Sequence, residues 1–263
     1  MRRIAVAATA PFGADVLERL AADHDVVQLL TRPDRPRGRG RRVAPPPAKE
    51  VAERLGIPVA QPERLDGSVE LAADTAVVCA YGLLIPNELL ERALWLNVHP
   101  SLLPRWRGAA PVERALLAGD DETGVTIHRT VEALDAGPVA AGRAFPIAPY
   151  DDAGAVYAKA AELAADLLRD VLLQDEPRFV PQPEEGVTYA EKIGPEDRDL
   201  DPDAPAQELV NRVRALSPHI GARLRDLIVW RARVGEGGAF EPVEVQPAGG
   251  RRMLYDAYLR GRR

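Results

Sequence analysis

The chain has little that could brace it covalently or tie it to a bilayer. Cys79 is the single cysteine among 263 residues. That excludes an internal disulfide framework and fits a reducing, cytoplasmic compartment. Cys79 lies in the apolar run Ala76-Val77-Val78-Cys79-Ala80, where a buried, inert thiol is expected. No segment has the ~18 apolar residues needed to span a bilayer, so no membrane association is expected. Arg2-Arg3 ahead of an apolar run has the outline of a short secretory signal. The run is short and Ala-rich, and a first strand with a helix behind it explains it as well. The four histidines, His24, His99, His128 and His219, are scattered and there is no cysteine pair, so no metal site is expected. Internal repeats and low-complexity tracts are also missing.

What is present is ordinary for a globular chain long enough to form two domains. Hydrophobic residues make up 46% and charged residues 28%, and 24 prolines with 21 glycines imply many stiff loops. The net charge of -6 argues against a general nucleic-acid coat protein, yet leaves room for a local basic patch.

Short apolar runs alternate with amphipathic stretches through the first half. Strands are expected at residues 3–8, 26–31, 75–80, 96–99 and 124–129, with a further, antiparallel strand within 137–147. Helices are expected at 12–23, 48–55, 87–93, 111–118 and 152–173, the last capped by Asp151 or Asp152. This succession predicts an α/β fold with a Rossmann-like, mostly parallel sheet covered by helices on both faces. Ligands in such sheets bind beyond the carboxyl ends of the strands. Composition changes near Pro181, where 181–186 and then 194–203 are polar, acidic and proline-bearing, as linkers are. A helix at 204–216 and β-prone runs at 227–232 and 240–245 follow. From Asn211 onward eleven arginines face five acids.

Chemistry concentrates in Asn97-Val98-His99-Pro100-Ser101-Leu102-Leu103-Pro104-Arg105-Trp106-Arg107-Gly108. Strand alternation puts Asn97 and His99 on one face. A loop carboxylate, Asp135, follows in Leu134-Asp135-Ala136-Gly137. Amide, imidazole and carboxylate are the parts needed to hold an oxyanion, move a proton and orient the proton carrier. His128, at a strand end, reads as a structural histidine. Upstream, residues 31–49 carry Arg32, Arg35, Arg37, Arg39, Arg41, Arg42 and Lys49 against Asp34 and the adjoining Glu50. Glycines between these arginines let a backbone approach a phosphate chain.

These segments resemble the methionyl-tRNA formyltransferase family nearly end to end. The Asn-x-His and Ser-Leu-Leu-Pro pair is common to folate-dependent formyltransferases, and Pro33-Asp34-Arg35-Pro36-Arg37-Gly38-Arg39-Gly40 resembles the insertion loop of the tRNA-modifying branch. Ala80-Tyr81-Gly82-Leu83-Leu84-Ile85-Pro86, Thr188-Tyr189-Ala190-Glu191-Lys192 and Gln246-Pro247-Ala248-Gly249 also match. The resemblance implies formyl transfer from 10-formyltetrahydrofolate to the methionine amino group of initiator methionyl-tRNA, without a metal, by a monomer. Asn97 would hold the oxyanion. His99 would handle protons or hold the oxyanion when charged. Asp135 would orient His99, hold a water or accept the amine proton. Ser101, Leu102, Leu103 and Pro104 would wall the folate site, and Tyr81, Gly82, Leu83, Leu84, Ile85 and Pro86 would offer backbone groups to the pterin. Arg35, Arg37, Arg39, Arg41 and Arg42 would contact tRNA. Two other readings compete: the same chemistry on a small amine or water, and a non-catalytic RNA-binding relative.

Two departures from the family pattern stand out. Ala8 occupies a position that is usually glycine, with Gly13 as the compensating residue. The C-terminal part is short. A closed OB-like barrel needs about five strands, and this segment has room for about three. The expected division is a folate-binding catalytic domain at 1–185, a linker at 186–203 and a trimmed OB-like domain at 204–263.

Overall fold

The computed structural model describes residues 2–37 and 42–261. The first part of the chain runs β1 (Arg3–Ala8), α1 (Pro11–Asp23), β2 (Asp25–Leu30), β3 (Arg35–Arg37), β4 (Arg42–Ala44), α2 (Pro47–Leu55), β5 (Val59–Ala60), β6 (Thr75–Cys79), α3 (Asn87–Leu90) and β7 (Leu94–His99). It continues through β8 (Arg107–Gly108), α4 (Pro111–Ala118), β9 (Glu122–Arg129), β10 (Val139–Pro146), α5 (Ala153–Leu172) and β11 (Tyr189–Ala190). The last part holds α6 (Ala206–Leu216), β12 (Ala222–Leu224), β13 (Leu227–Val234), β14 (Phe240–Pro247), β15 (Met253–Leu254) and α7 (Tyr255–Arg260). No helix among the described residues is long and apolar enough to cross a membrane.

The chain divides into two compact units. One comprises Met1–Arg107, Gly124–Ala144 and Ala158–Thr188; the other comprises Gly108–Thr123, Phe145–Tyr157 and Tyr189–Arg263.

The large sheet has seven strands in the order β10-β9-β7-β6-β1-β2-β5. Neighbours from β5 to β7 are parallel, and β9 joins β7 antiparallel. The chain goes outward from β1 in both directions, so β1 and β6 meet at a topological switch point, where α/β sheets bind ligands. Strand β1 is buried from Ile4 to Ala8, and β6 along its whole length. Helix α1 starts on Pro11, whose missing N–H costs nothing at a first helical position, and buries Phe12, Val16, Leu17 and Leu20. Each such large apolar side chain contributes roughly 1.5–3 kcal/mol of burial. Trp95 is fully buried in a cluster with Leu30, Ala76, Val78, Tyr81, Ile85 and Leu89, and its indole N–H donates to the Leu89 carbonyl at 2.7 Å.

The compensation expected at Gly13 is present. A Cβ there would run into the Cys79 carbonyl oxygen and approach the Ala8 side chain at 2.9 Å. The methyl of Ala8 thus fills space that only a glycine at position 13 leaves open.

Helix α3 is shorter than its periodicity predicts. It ends at Leu90 and not near residue 93, because the chain enters β7 at Leu94, two residues earlier than expected. Asp152 is the cap of α5: its Oδ1 accepts the Ala155 N–H at 2.9 Å, while Asp151 Oδ2 takes the Ala148 N–H at 2.7 Å.

In the second unit four antiparallel strands run β12-β13-β14-β15. This is one strand more than the expected three, since β12 and β15 span only three and two residues and leave no periodic pattern. Helix α6 sets Leu209, Val213 and Leu216 against Leu227, Val229 and Val245 of this sheet.

Candidate active site

Strand β7 delivers the site. Its register against β9 sets Asn97 opposite His128 and His99 opposite Thr126. Residues directly opposed in an antiparallel pair project to the same face. Four polar side chains therefore share one patch of sheet.

Asp135 closes the patch from the loop after β9. Asn97 Nδ2 donates to its Oδ1 at 3.0 Å. His99 Nδ1 lies 3.6 Å from Oδ2, and His128 Nε2 lies 3.6 Å from Oδ1. All three expected catalytic residues meet here, with His99 at 4% and Asp135 at 9% exposure. The loop geometry depends on two special backbones. Asp135 itself has φ 48°, in the left-handed region. A Cβ on Gly137 would collide with the Arg129 carbonyl oxygen of β9, so only glycine lets the loop lie this close.

The proton inventory follows from the partners. His99 Nε2 is 2.7 Å from the Trp106 carbonyl oxygen. A carbonyl only accepts, so Nε2 carries the hydrogen and the neutral ring turns a lone pair on Nδ1 toward Asp135. Burial holds the His99 pKa below its ordinary value; the Asp135 carboxylate and the Trp106 carbonyl oppose this in part, and His128 adds to it. The neutral form therefore dominates at pH 7. His128 repeats the arrangement: Nδ1 bonds the Arg129 carbonyl at 3.0 Å, and its buried Nε2 has no hydrogen-bond partner. Asn97 has two amide hydrogens, and Asp135 takes one. The second can serve an oxyanion, with a proton acceptor at its side.

His128, expected as a satisfied structural histidine, is satisfied at Nδ1 only and points Nε2 at Asp135. The signal for it was the alternation Thr126, His128 along β9. That pattern becomes legible once β9 is known to pair with β7.

The Ser-Leu-Leu-Pro turn is clamped by β9. Thr126 Oγ1 donates to the Ser101 carbonyl at 2.7 Å and accepts the Leu103 N–H at 3.1 Å. Ser101 is fully buried and gives its hydroxyl hydrogen to the Arg105 carbonyl, so that hydrogen is spent inside the turn. Leu102 packs where Gly124 leaves room; a Cβ on Gly124 would approach its side chain at 2.5 Å. Leu102, Leu103 and Pro104 remain partly exposed. The segment from Tyr81 to Pro86 leaves β6 beside Asn97, which pairs with Val78. Gly82 has φ 77°, Leu84 is 81% exposed, and Tyr81 and Ile85 turn into the core. Burial pushes the Tyr81 phenol up to about 12.

The basic segment contains a hairpin. β3 and β4 pair Arg35 with Ala44, Pro36 with Val43 and Arg37 with Arg42. Arg35 and Arg42 are exposed; Arg39 and Arg41 lie outside the described residues. Lys49 does not belong to this free charge. Its Nζ bonds both Asp34 carboxylate oxygens and Gln61 Oε1, each at 2.9 Å, and Gln61 Nε2 reaches Asp34 Oδ1 at 2.7 Å and the Arg32 carbonyl at 2.9 Å. The Gln61 and Lys49 hydrogen bonds hold the Asp34 carboxyl below the usual carboxylate range. Among the described residues no cluster of His, Cys, Asp and Glu could hold a metal ion. Cys79 is fully buried, and burial pushes its thiol well up.

Known proteins share this arrangement of chain. Residues 2–172 match the formyl transferase family. A methionyl-tRNA formyltransferase of Halorhodospira halophila is 43% identical over 300 residues, spanning 99% of this chain and 96% of that protein. One from Listeria monocytogenes is 38% identical over 299 residues, with the same coverage. Among solved structures, an N-formyltransferase from Helicobacter canadensis in complex with folinic acid and dTDP-3-aminofucose superposes with a TM-score of 0.70 at 17% identity, over 89% of this chain and 88% of that one. Methionyl-tRNA formyltransferase from Clostridium thermocellum gives 0.66 at 16% identity, over 94% and 99%. At that identity the likeness speaks for the fold. The sequence relatives, matched end to end, carry the assignment further: the chain belongs to the methionyl-tRNA formyltransferase family.

Proposed function

We infer that this protein transfers the formyl group of 10-formyltetrahydrofolate to the amino group of methionine on initiator tRNA, in the cytoplasm, for translation initiation. The observation that carries the reading is the Asn97–Asp135 hydrogen bond at 3.0 Å with His99 Nδ1 beside it, in a chain of this family. The methionine nitrogen attacks the formyl carbon and forms a C–N bond, and the carbonyl electrons move to oxygen. The free hydrogen of Asn97 stabilises that oxyanion. The ammonium proton passes to His99 Nδ1, where Asp135 stabilises the cation. Collapse restores the carbonyl, breaks the bond to N10 of the folate and returns a proton to that nitrogen. An amine is already a good nucleophile, so no covalent enzyme intermediate is needed.

The basic hairpin supports tRNA as the acceptor. Arg35 and Arg42 are exposed on this short hairpin, and guanidinium groups so presented suit phosphate oxygens. Arg35, Arg37, Arg39, Arg41 and Arg42 would contact tRNA. The Asp34–Lys49–Gln61 cluster fixes the root of that segment.

Ser101, Leu102, Leu103 and Pro104, with the backbone from Tyr81 to Pro86, would hold the folate. The test offers purified protein 10-formyltetrahydrofolate with either methionyl initiator tRNA or a free sugar amine. Formylation of the tRNA is the expected result. Transfer to the sugar amine alone overturns the acceptor, and tRNA binding without transfer overturns the enzyme.

A further inference from the structure

Residues 181–186 have the composition of a linker, yet one side chain among them is drawn inward. Pro181, Pro183, Glu184, Glu185 and Gly186 are exposed, and Gln182 is half-buried. Its Nε2 donates to the Asp135 carbonyl at 2.7 Å and to the Gly137 carbonyl at 2.8 Å. Its Oε1 accepts Arg107 Nε at 3.0 Å and Nη2 at 2.6 Å. Carbonyls only accept and a guanidinium only donates, so the amide has one workable orientation.

Arg107 directly follows Trp106, whose carbonyl fixes His99. The same strand of chain is held again by Thr188: its hydroxyl accepts the Trp106 N–H at 2.8 Å and its carbonyl the Arg107 N–H at 2.9 Å. The far side is fastened by Val180, which exchanges both backbone hydrogen bonds with Val139.

From this geometry we propose that Gln182 is a positioning residue for formyl transfer, a strap that joins the His99 segment to the Asp135 loop. The proposal rests on the catalytic reading of Asn97, His99 and Asp135. Two separate stretches of chain must converge to a fraction of an ångström for those side chains to act together. Asp135 sits in a left-handed backbone conformation that a non-glycine residue holds only when its surroundings fix it. Gln182 binds the carbonyls of Asp135 itself and of Gly137, two residues on, and through Arg107 it ties the bend to the neighbour of Trp106. Both ends of the Gln182 amide are engaged by protein groups, so it acts through the Asp135 loop and the His99 segment.

Gln182→Glu tests this directly. The glutamate keeps the shape and still accepts from Arg107, but has no hydrogen for the two carbonyls. Formyl transfer to methionyl initiator tRNA should lose roughly 10²-fold in kcat, as misplacement by about 1 Å does. KM for the folate and for the tRNA should stay within about twofold, with the thermal midpoint little changed, because binding surfaces and core are untouched. Arg107→Lys, which cannot grip Oε1 with two parallel donors, should show a smaller loss with the same split, and it carries the test if Gln182→Glu does not fold. Wild-type kcat in these variants while Asn97→Ala is impaired overturns the strap alone. A kcat loss matched by rising KM and falling thermal stability also overturns it, as the mark of general destabilisation. Wild-type turnover in Asn97→Ala overturns the strap together with the catalytic reading beneath it.

Discussion

Asn97 and His128 stand opposite each other across β7 and β9 and turn their side-chain nitrogens to the same oxygen, Oδ1 of Asp135, at 3.0 Å and 3.6 Å. The amide donates a hydrogen. The imidazole is fixed through Nδ1 by the Arg129 carbonyl and points Nε2 at the carboxylate. Asp135 is thereby held by an amide on one side and faced by an imidazole nitrogen on the other. Replacing His128 by Gln should keep the strand and remove the imidazole. We expect kcat to fall roughly tenfold, less than the ~10²–10⁴-fold of a direct general acid or base, because His128 acts through Asp135, with KM unchanged. Steady-state kinetics with methionyl initiator tRNA checks it.

On the proposed mechanism, His99 sets the acid limb. Its pKa is depressed, chiefly by burial, with Asp135, the Trp106 carbonyl and His128 as the groups that face it. The unfolded chain takes up this proton near pH 6.5 and the native chain only lower. His99 therefore costs no stability above about pH 6.5 and destabilises the fold progressively as pH falls from there toward the native pKa. The same titration removes the proton acceptor. The His99-dependent limb of kcat/KM should lie below about pH 6.5, and it should be absent in His99→Asn, whose residual rate is measured across the same range.

Gly137→Ala should be costly although it adds a single methyl. The new Cβ would meet the Arg129 carbonyl oxygen, so the Asp135 loop must retreat from β9. Overpacking of this kind costs about 1–3 kcal/mol, readable as a lower denaturation midpoint. Turnover should drop further than that stability loss explains, since Asp135 moves with the loop.

The arginine loop should behave as an electrostatic device. Neutralising Arg37, Arg39, Arg41 and Arg42 should weaken tRNA binding and flatten its dependence on salt, because fewer counterions are released. Folate KM should not change. Asp34→Asn should weaken tRNA binding too, by a different route: it frees Lys49 and loosens the root of the segment while adding positive charge. A binding titration at several salt concentrations separates the two effects.

Much of this was readable in the chain. Apolar runs fixed β1, β2, β6 and β7 to within two residues, and α4 to the residue, because buried strands and amphipathic helices have strong periods. Alternation put Asn97 and His99 on one face, and Asp135 joined them only together with the Ser-Leu-Leu-Pro turn and the family resemblance. His128 was not legible, because its meaning depends on register between strands that are distant in sequence. Gln182 was not either: polar, proline-bearing sequence marks irregular chain, and says nothing about which carbonyls one amide will find. β12 and β15 are too short to show a period, so the C-terminal sheet was undercounted.

On the proposed mechanism, Asn97 spends one amide hydrogen on Asp135 and the other on the transition state. Single-turnover formyl transfer by Asn97→Ala, at saturating 10-formyltetrahydrofolate and methionyl initiator tRNA, tests it most directly. The rate should fall by about 10²–10³-fold, with folate affinity nearly intact. A rate equal to wild type would contradict it.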